Sequence, residues 1–267
     1  MGDIMDRIVE QYKDSRNFVA RIELNRKFRT NKQPFTAWLF DKIEFHESSR
    51  ILELGCGNAI LWRTNQNKIG SNQRIVLTDF SEGMLEDAKK VLGNMEDNFE
   101  YHVMDAQNIT YPENSFDMVI ANLMLYHVPD RNKAFSEITR VLTDKGSFYA
   151  STFGKNNMKE LNKLIMDIYP RLNTLETLSN EFGLENGKAQ LQNYFKHVKM
   201  EKYPDHLEIT DAQPVIDYFI SFTGNKSVLS QGKLEKLRSY IDGIIEDEGC
   251  MKVTKETGLF IAREPII

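Results

Sequence analysis

The run from Arg50 to Ala59 (Arg-Ile-Leu-Glu-Leu-Gly-Cys-Gly-Asn-Ala) constrains this chain more than any other stretch. Ile51, Leu52 and Leu54 form a short apolar segment that stops at Gly55 and Gly57. That pattern reads as a buried strand breaking into a tight turn. Two glycines two apart expose backbone N–H groups with no Cβ in the way, so a ligand can lie against the main chain. A second apolar strand, residues 75–80, ends in Asp79 and Phe80. Asp79 lies 24 residues beyond Gly55 (55 to 79), close to the roughly 20 at which an acid on the next strand tip grips a ribose diol. A nicotinamide fingerprint would place a third glycine at position 60, where this chain has Ile60. A dinucleotide oxidoreductase is therefore the weaker reading of the turn.

The flanking pattern supplies the rest of an α/β fold. Pro34 opens a helix whose apolar face is Phe35, Trp38, Leu39 and Ile43. Ser81 is placed to cap a helix striped with Met84, Leu85, Ala88, Val91 and Leu92, and Asp130 one carrying Ala134, Phe135, Ile138, Val141 and Leu142. Residues 99–105, 116–121 and 147–152 read as further strands, the middle one apolar enough to be buried on both faces, and Gly146 as the turn into the last. Strand and helix alternating through 50–152 predict a doubly wound parallel sheet. Beyond it, 155–170 and material to about 195 read as helical, 198–209 as a strand, 211–221 and 233–248 as helices and 251–263 as a final strand. The expected organisation is a single domain. Residues 1–45 are its helical cap, 46–152 its binding core, 153–195 a helical insertion suited to a lid, and 196–267 C-terminal strands with a helical insertion.

Composition narrows the function. Against 34 Lys and Arg stand 39 Asp and Glu, a net charge of −5, which argues against a surface that coats nucleic acid. The local basic cluster of Arg21, Arg26, Lys27, Arg29 and Lys32 reads first as a solvated helix face. Cys56 and Cys250 lack Cys-x-x-Cys or His partners, so neither a metal site nor a disulfide framework is expected. No secretory segment or 18-residue apolar run is present, which predicts a soluble, cytoplasmic protein without membrane insertion. Met1-Gly2 lacks the Ser or Thr that myristoylation needs, because position 6 is Asp6. Oligomeric state is not legible.

Glu53-x-Gly55-x-Gly57 resembles the first motif of class I S-adenosylmethionine (SAM)-dependent methyltransferases, with Ala59 at the third glycine position. Residues 75–85, 103–116, 116–130 and 142–152 are similar to the successive motifs of that family, nearest its ubiquinone/menaquinone-biosynthesis and small-molecule subgroup. The resemblance spans about residues 45–155. It implies a Rossmann-like, mostly parallel seven-stranded sheet and a cofactor, SAM, released as S-adenosylhomocysteine. It also implies a site at the strand ends, where doubly wound sheets bind ligands. There Glu53, Gly55, Cys56 and Gly57 would hold the methionine tail and Asp79 the ribose hydroxyls. Phe80 would stack on adenine, Asp105 and Ala106 would meet the adenine edge, and Asn122 and Leu123 would complete the contact. Tyr12 and Arg29 would close over the cofactor. Tyr126 and His127 fall where the family's acceptor faces the methyl group, His127 as a general base or as a loop-orienting residue. The Asn/Asp-Pro-Pro motif of base-directed methyltransferases is replaced by Asn122-Leu-Met-Leu125, so the expected acceptor is a small O, N or C nucleophile and not duplex DNA. The alternatives are an RNA or protein methyltransferase using the basic cluster, and a SAM-binding regulatory module without turnover.

Overall fold

The computed structural model describes residues 16–46, 49–93, 98–168, 178–222, 225, 229 and 231–266. The chain divides into two compact units that interleave in sequence. One comprises Phe35–Gly154, Leu178–Tyr203 and Thr257–Ile267; the other comprises Met1–Pro34, Lys155–Thr177 and Pro204–Glu256. In chain order the elements are α1 (Arg16–Phe28), α2 (Phe35–Phe40), β1 (Arg50–Leu54), α3 (Ile60–Thr64), β2 (Arg74–Asp79), α4 (Glu82–Leu92), β3 (Phe99–Val103), β4 (Phe116–Asn122), α5 (Arg131–Val141) and β5 (Leu142–Phe153). There follow α6 (Lys159–Ile168), α7 (Leu178–Glu181), α8 (Gly187–Leu191), β6 (Phe195–Tyr203), β7 (His206–Ile209), α9 (Gln213–Ile220), α10 (Gln231–Glu248), β8 (Met251–Thr254) and β9 (Thr257–Pro265).

The larger unit holds the expected sheet, seven strands in the order β3-β2-β1-β4-β5-β9-β6. The first five run parallel, and β9 is antiparallel to both β5 and β6. Strand order reverses between β1 and β4, which places a crevice at their carboxyl ends. Side chains alternate between two cores, as period two requires. Leu52, Val76, Val119, Ala121 and Phe148 pack with Phe135 and Ile138 of α5, whereas Ile51, Ile75, Leu77, Met118 and Ile120 pack with Trp38, Trp62 and Leu85. That two-sided burial explains why β4 is almost entirely apolar. The Ser81 hydroxyl accepts from the Met84 N–H at 3.3 Å and Asp130 from the Lys133 N–H at 3.0 Å, so both expected caps form.

Three features depart from the sequence reading. Among the described residues no helix lies between β3 and β4; that crossover carries Pro112 and a left-handed Asn114 (φ 55°). It is tied down instead by α5, where the Arg140 guanidinium donates to the carbonyls of Ile109 and Tyr111, each at 2.8 Å, and pairs with Glu137. Glu137 in turn accepts from the Ile109 N–H at 2.9 Å. Next, β5 begins at Leu142, earlier than expected, because Phe116 pairs with Leu142 before a register shift to Met118 and Ser147. Finally, each of the last two expected strands is really two. The break at Pro204-Asp205 separates β6 from β7, and the break at Lys255-Glu256 separates β8 from β9. β7 and β8 pair with each other, in the smaller unit.

That unit has a core of its own, in which Leu24 and Phe28 of α1 join Leu161 and Ile165 of α6, Val215 and Phe219 of α9 and Leu237 and Ile241 of α10. Segments expected as cap, lid and C-terminal insertion thus share one core, while α7 and α8 belong to the larger unit. The basic cluster here is not a uniform charged face. Arg21 is buried, donating to the hydroxyl and carbonyl of Ser221 at 3.1 and 3.2 Å; Arg26 pairs with Glu23, and Lys27 with Asp211 at 2.6 Å.

Arg140→Ala removes both carbonyl contacts of the β3–β4 crossover. The side chain is partly exposed, so the expected loss is about 1–2 kcal/mol, measured by urea unfolding.

Candidate active site

The crevice is built from the loops that leave β1, β2, β3 and β4, all within the larger unit. At its centre the β1–β2 ladder runs on past the strand ends. The Cys56 N–H donates to the Thr78 carbonyl at 2.8 Å, and the Gly57 N–H to the Asp79 carboxylate at 2.9 Å. The other Asp79 oxygen accepts from the Ser81 N–H at 2.9 Å. These bonds fix the plane of the carboxylate at the mouth of the crevice. Gly55, Gly57 and Ala59 all have φ near +60°, so the position where the family has its third glycine keeps the left-handed backbone although it carries a methyl group. Gly55 is required twice over, since a Cβ there would also lie 2.9 Å from the Cβ of Met124.

Glu53 is 1% exposed, and its carboxylate accepts from the Trp62 indole N–H at 2.5 Å. One of its oxygens therefore meets Trp62 within the core. Burial pushes its pKa up to about 8, the indole bond opposing that rise and the neighbouring Asp79 charge adding to it. Asp79 is also raised by burial, against the N–H donors of Ser81, Gly57 and Phe80. The Cys56 thiol is pushed well above its usual range by burial and by both carboxylates. That places it with inert, space-filling cysteines.

Phe80 is 46% exposed, a ring face open for stacking. At the end of β3, Asp105 is engaged by Gln107, whose backbone N–H donates to Oδ1 at 2.8 Å and whose amide reaches both oxygens at 3.0 Å. One acceptor position on Oδ2 is left for a single N–H of a ligand. Gln107 also accepts from the Asp130 N–H at 3.0 Å, joining this loop to the start of α5. Ala106 is buried beside it. At the end of β4, Asn122 accepts from the Ser151 hydroxyl at 2.6 Å, and Leu123 follows in the left-handed region at φ 54°, a conformation costing a non-glycine residue roughly 1–2 kcal/mol. Tyr126 is buried, its ring stacked 5.2 Å from that of Phe153, which makes it chiefly a packing residue of the turn. His127 is half-buried, its backbone N–H bonded to the Met124 carbonyl at 2.9 Å.

The structure thus gathers Glu53 to Gly57, Asp79, Phe80, Asp105, Ala106, Asn122, Leu123, Tyr126 and His127 at one sheet edge. Tyr12 lies outside the described residues, and Arg29 belongs to the other unit, where it bridges to Leu207. The sequence reading missed Asn58, Trp62, Gln107, Met124 and Ser151. Asn58 is 7% exposed and, alone in the glycine turn, has a buried side-chain oxygen with no hydrogen-bond partner. Among the described residues, no group of three or more His, Cys, Asp or Glu is arranged to hold a metal ion, and no helix is long and apolar enough to cross a membrane.

Known proteins resemble the part of the chain that forms this edge. Residues 52–150 match the family model described as methyltransferase domain. The ubiquinone/menaquinone biosynthesis C-methyltransferase UbiE of Rickettsia bellii is 35% identical over 127 residues, 46% of this chain and 50% of that protein. The chain spans about half the length of the curated relatives it matches. Among solved structures, a putative methyltransferase from Bacillus halodurans has a TM-score of 0.57 at 14% identity, covering 87% of this chain and 99% of that one. The [4+2]-cyclase SpnF has a TM-score of 0.51 at 14% identity, covering 94% and 97%. Likeness at such identities is one of fold, and a cyclase among these structures shows that the fold does not by itself dictate the reaction.

Two outcomes are expected at this site. Gly55→Ala should cost about 2–4 kcal/mol, from the left-handed backbone and the Met124 contact together, and adding Met124→Gly, which removes the clashing Cβ, should return at least about 1 kcal/mol of it, a coupling read by a double-mutant cycle. Folded Glu53 keeps its proton to about pH 8, whereas an unfolded glutamate loses it near 4.5. The folded state therefore binds the extra proton between those values, and this residue's contribution is full below the lower one and lost as pH rises through the upper. Unfolding free energies of wild type and Glu53→Gln, compared between about pH 5 and pH 8, should show a steeper fall in the wild type than in the variant.

Proposed function

We propose that the chain is a SAM-dependent methyltransferase that methylates an O, N or C nucleophile of a small organic molecule by in-line displacement. The observation that carries this reading is Asp79, a carboxylate at the tip of β2 held by two backbone N–H groups beside the open ring of Phe80. An adenosyl group needs those features, a paired acceptor for its sugar hydroxyls and a flat apolar face for its base. The turn fits its other end. Left-handed backbone at Gly55, Gly57 and Ala59 keeps the main chain bare, and the unpartnered Asn58 oxygen is an acceptor for an ammonium donor.

When bound, SAM would supply an electrophilic methyl on a sulfonium whose sulfide is a good leaving group. The chain's own task is then positional. Asp79 would orient the ribose, Asp105 would take one amino N–H and the Gly55–Gly57 backbone would hold the tail. Alignment of this kind supplies on the order of 7–11 kcal/mol of barrier reduction. His127, in the turn after β4, is the candidate to accept a proton from an acceptor that arrives protonated, worth roughly 10²–10⁴-fold.

The quinone-pathway C-methyltransferases among the relatives support a small acceptor. The basic segment at 21–32 gives little support to a nucleic-acid substrate, because Arg21 is buried and Arg26 and Lys27 are ion-paired. The alternative is a SAM-binding module without turnover.

Titration calorimetry with SAM and S-adenosylhomocysteine is the first test; binding absent at millimolar ligand overturns the proposal. Asp79→Ala should weaken binding more than tenfold, by about 1.4 kcal/mol or more, and an unchanged dissociation constant would remove the ribose assignment. Incubation with labelled SAM and a metabolite extract, followed by mass spectrometry, should reveal an acceptor heavier by one methyl group, and label transfer to none would favour the non-catalytic module.

A further inference from the structure

Ser151 lies in the middle of the sheet, on β5, and is fully buried. Its hydroxyl makes two bonds to the end of β4, donating to the Asn122 side-chain oxygen at 2.6 Å and accepting from the Leu123 N–H at 3.0 Å. The same N–H lies 3.3 Å from the Ser151 carbonyl. Leu123 is the residue with positive φ here, and such strain persists only where the surroundings over-determine it. Its consequence is geometric. The left-handed step turns the chain out of β4 and brings Met124 against Gly55, so close that a single added carbon would clash. The turn Leu125–His127 follows at once, its His127 N–H bonded to the Met124 carbonyl at 2.9 Å.

From this we infer that Ser151 is a positioning residue of the proposed transfer: by holding Leu123 left-handed it seats Met124 on the glycine turn and so sets the cofactor's bed and the place of His127. The inference rests on the methyltransferase reading. Its physical content is that one buried hydroxyl couples the loop after β4 to the loop after β1, although the two never bond directly through it. A serine is suited to the task because its oxygen can donate and accept at once. Alanine would leave the Leu123 N–H one partner and the Asn122 oxygen none of its present one.

The experiment compares wild type, Ser151→Ala, Leu123→Gly and the double variant by calorimetry with S-adenosylhomocysteine, together with amide hydrogen exchange. Ser151→Ala should weaken binding at least tenfold and speed exchange of the Leu123 N–H at least tenfold. In the double variant, binding should recover at least threefold over Ser151→Ala, because glycine takes the left-handed conformation without the hydroxyl. Merely structural damage would not be rescued by a second truncation. If Ser151→Ala does not fold, Ser151→Cys, which keeps the size and a weaker donor, should show the same effects at smaller size. Wild-type binding with an unaltered dissociation constant in the folded serine variants overturns the inference alone, as does a double variant no better than the single. Wild type that binds no S-adenosylhomocysteine overturns the methyltransferase reading and this inference with it.

Discussion

The hydrogen bond from the Gly57 N–H to the Asp79 carboxylate sets the mouth of the sheet. It carries the β1–β2 pairing one step beyond the strands, so the glycine turn and the acid at the next strand tip are positioned together. A bond to an ionised acceptor is roughly twice as strong as a neutral one, but here it works against a burial cost that raises the pKa of Asp79 and of Glu53 behind it. The two carboxylates are close enough for the Asp79 charge to add to the rise at Glu53. Trp62 keeps Glu53 hydrogen-bonded without supplying a charge. Burial of Cys56 in the same turn removes a competing nucleophile.

The loops around this mouth are held by polar side chains reaching from elements behind them. Gln107 ties the end of β3 to the start of α5, Arg140 and Glu137 anchor the helix-free crossover, and Ser151 grips the end of β4. Each satisfies backbone groups that irregular segments would otherwise leave unpaired. A crossover without a helix is possible because a charged pair on α5 provides the bonds a helix would have made internally.

The chain's interleaving follows from two breaks. Pro204 has no N–H to donate and disfavours uninterrupted pairing, and Lys255-Glu256 lies opposite it on the partner strand. On one side of the breaks β6 and β9 serve the seven-stranded sheet; on the other, β7 and β8 pair within a unit whose core draws on three separate stretches of sequence.

Local sequence determined much of this protein. Apolar runs and glycines marked β1 to β4 and the turn at Gly55, capping residues marked α4 and α5, and the 55-to-79 spacing marked Asp79, because each signal is confined to a few neighbouring residues. What only the tertiary structure decided involves partners distant in sequence. Alternation continues smoothly through 198–209 and 251–263, so nothing local shows that each stretch divides between two sheets. Nor does any periodicity reveal that Trp62 meets Glu53, that Met124 covers Gly55, or that Ser151 holds Leu123 in a strained turn. Those contacts arise when strands far apart in the chain are laid side by side, and a pattern of neighbours along one strand carries no record of which strand will lie next to it.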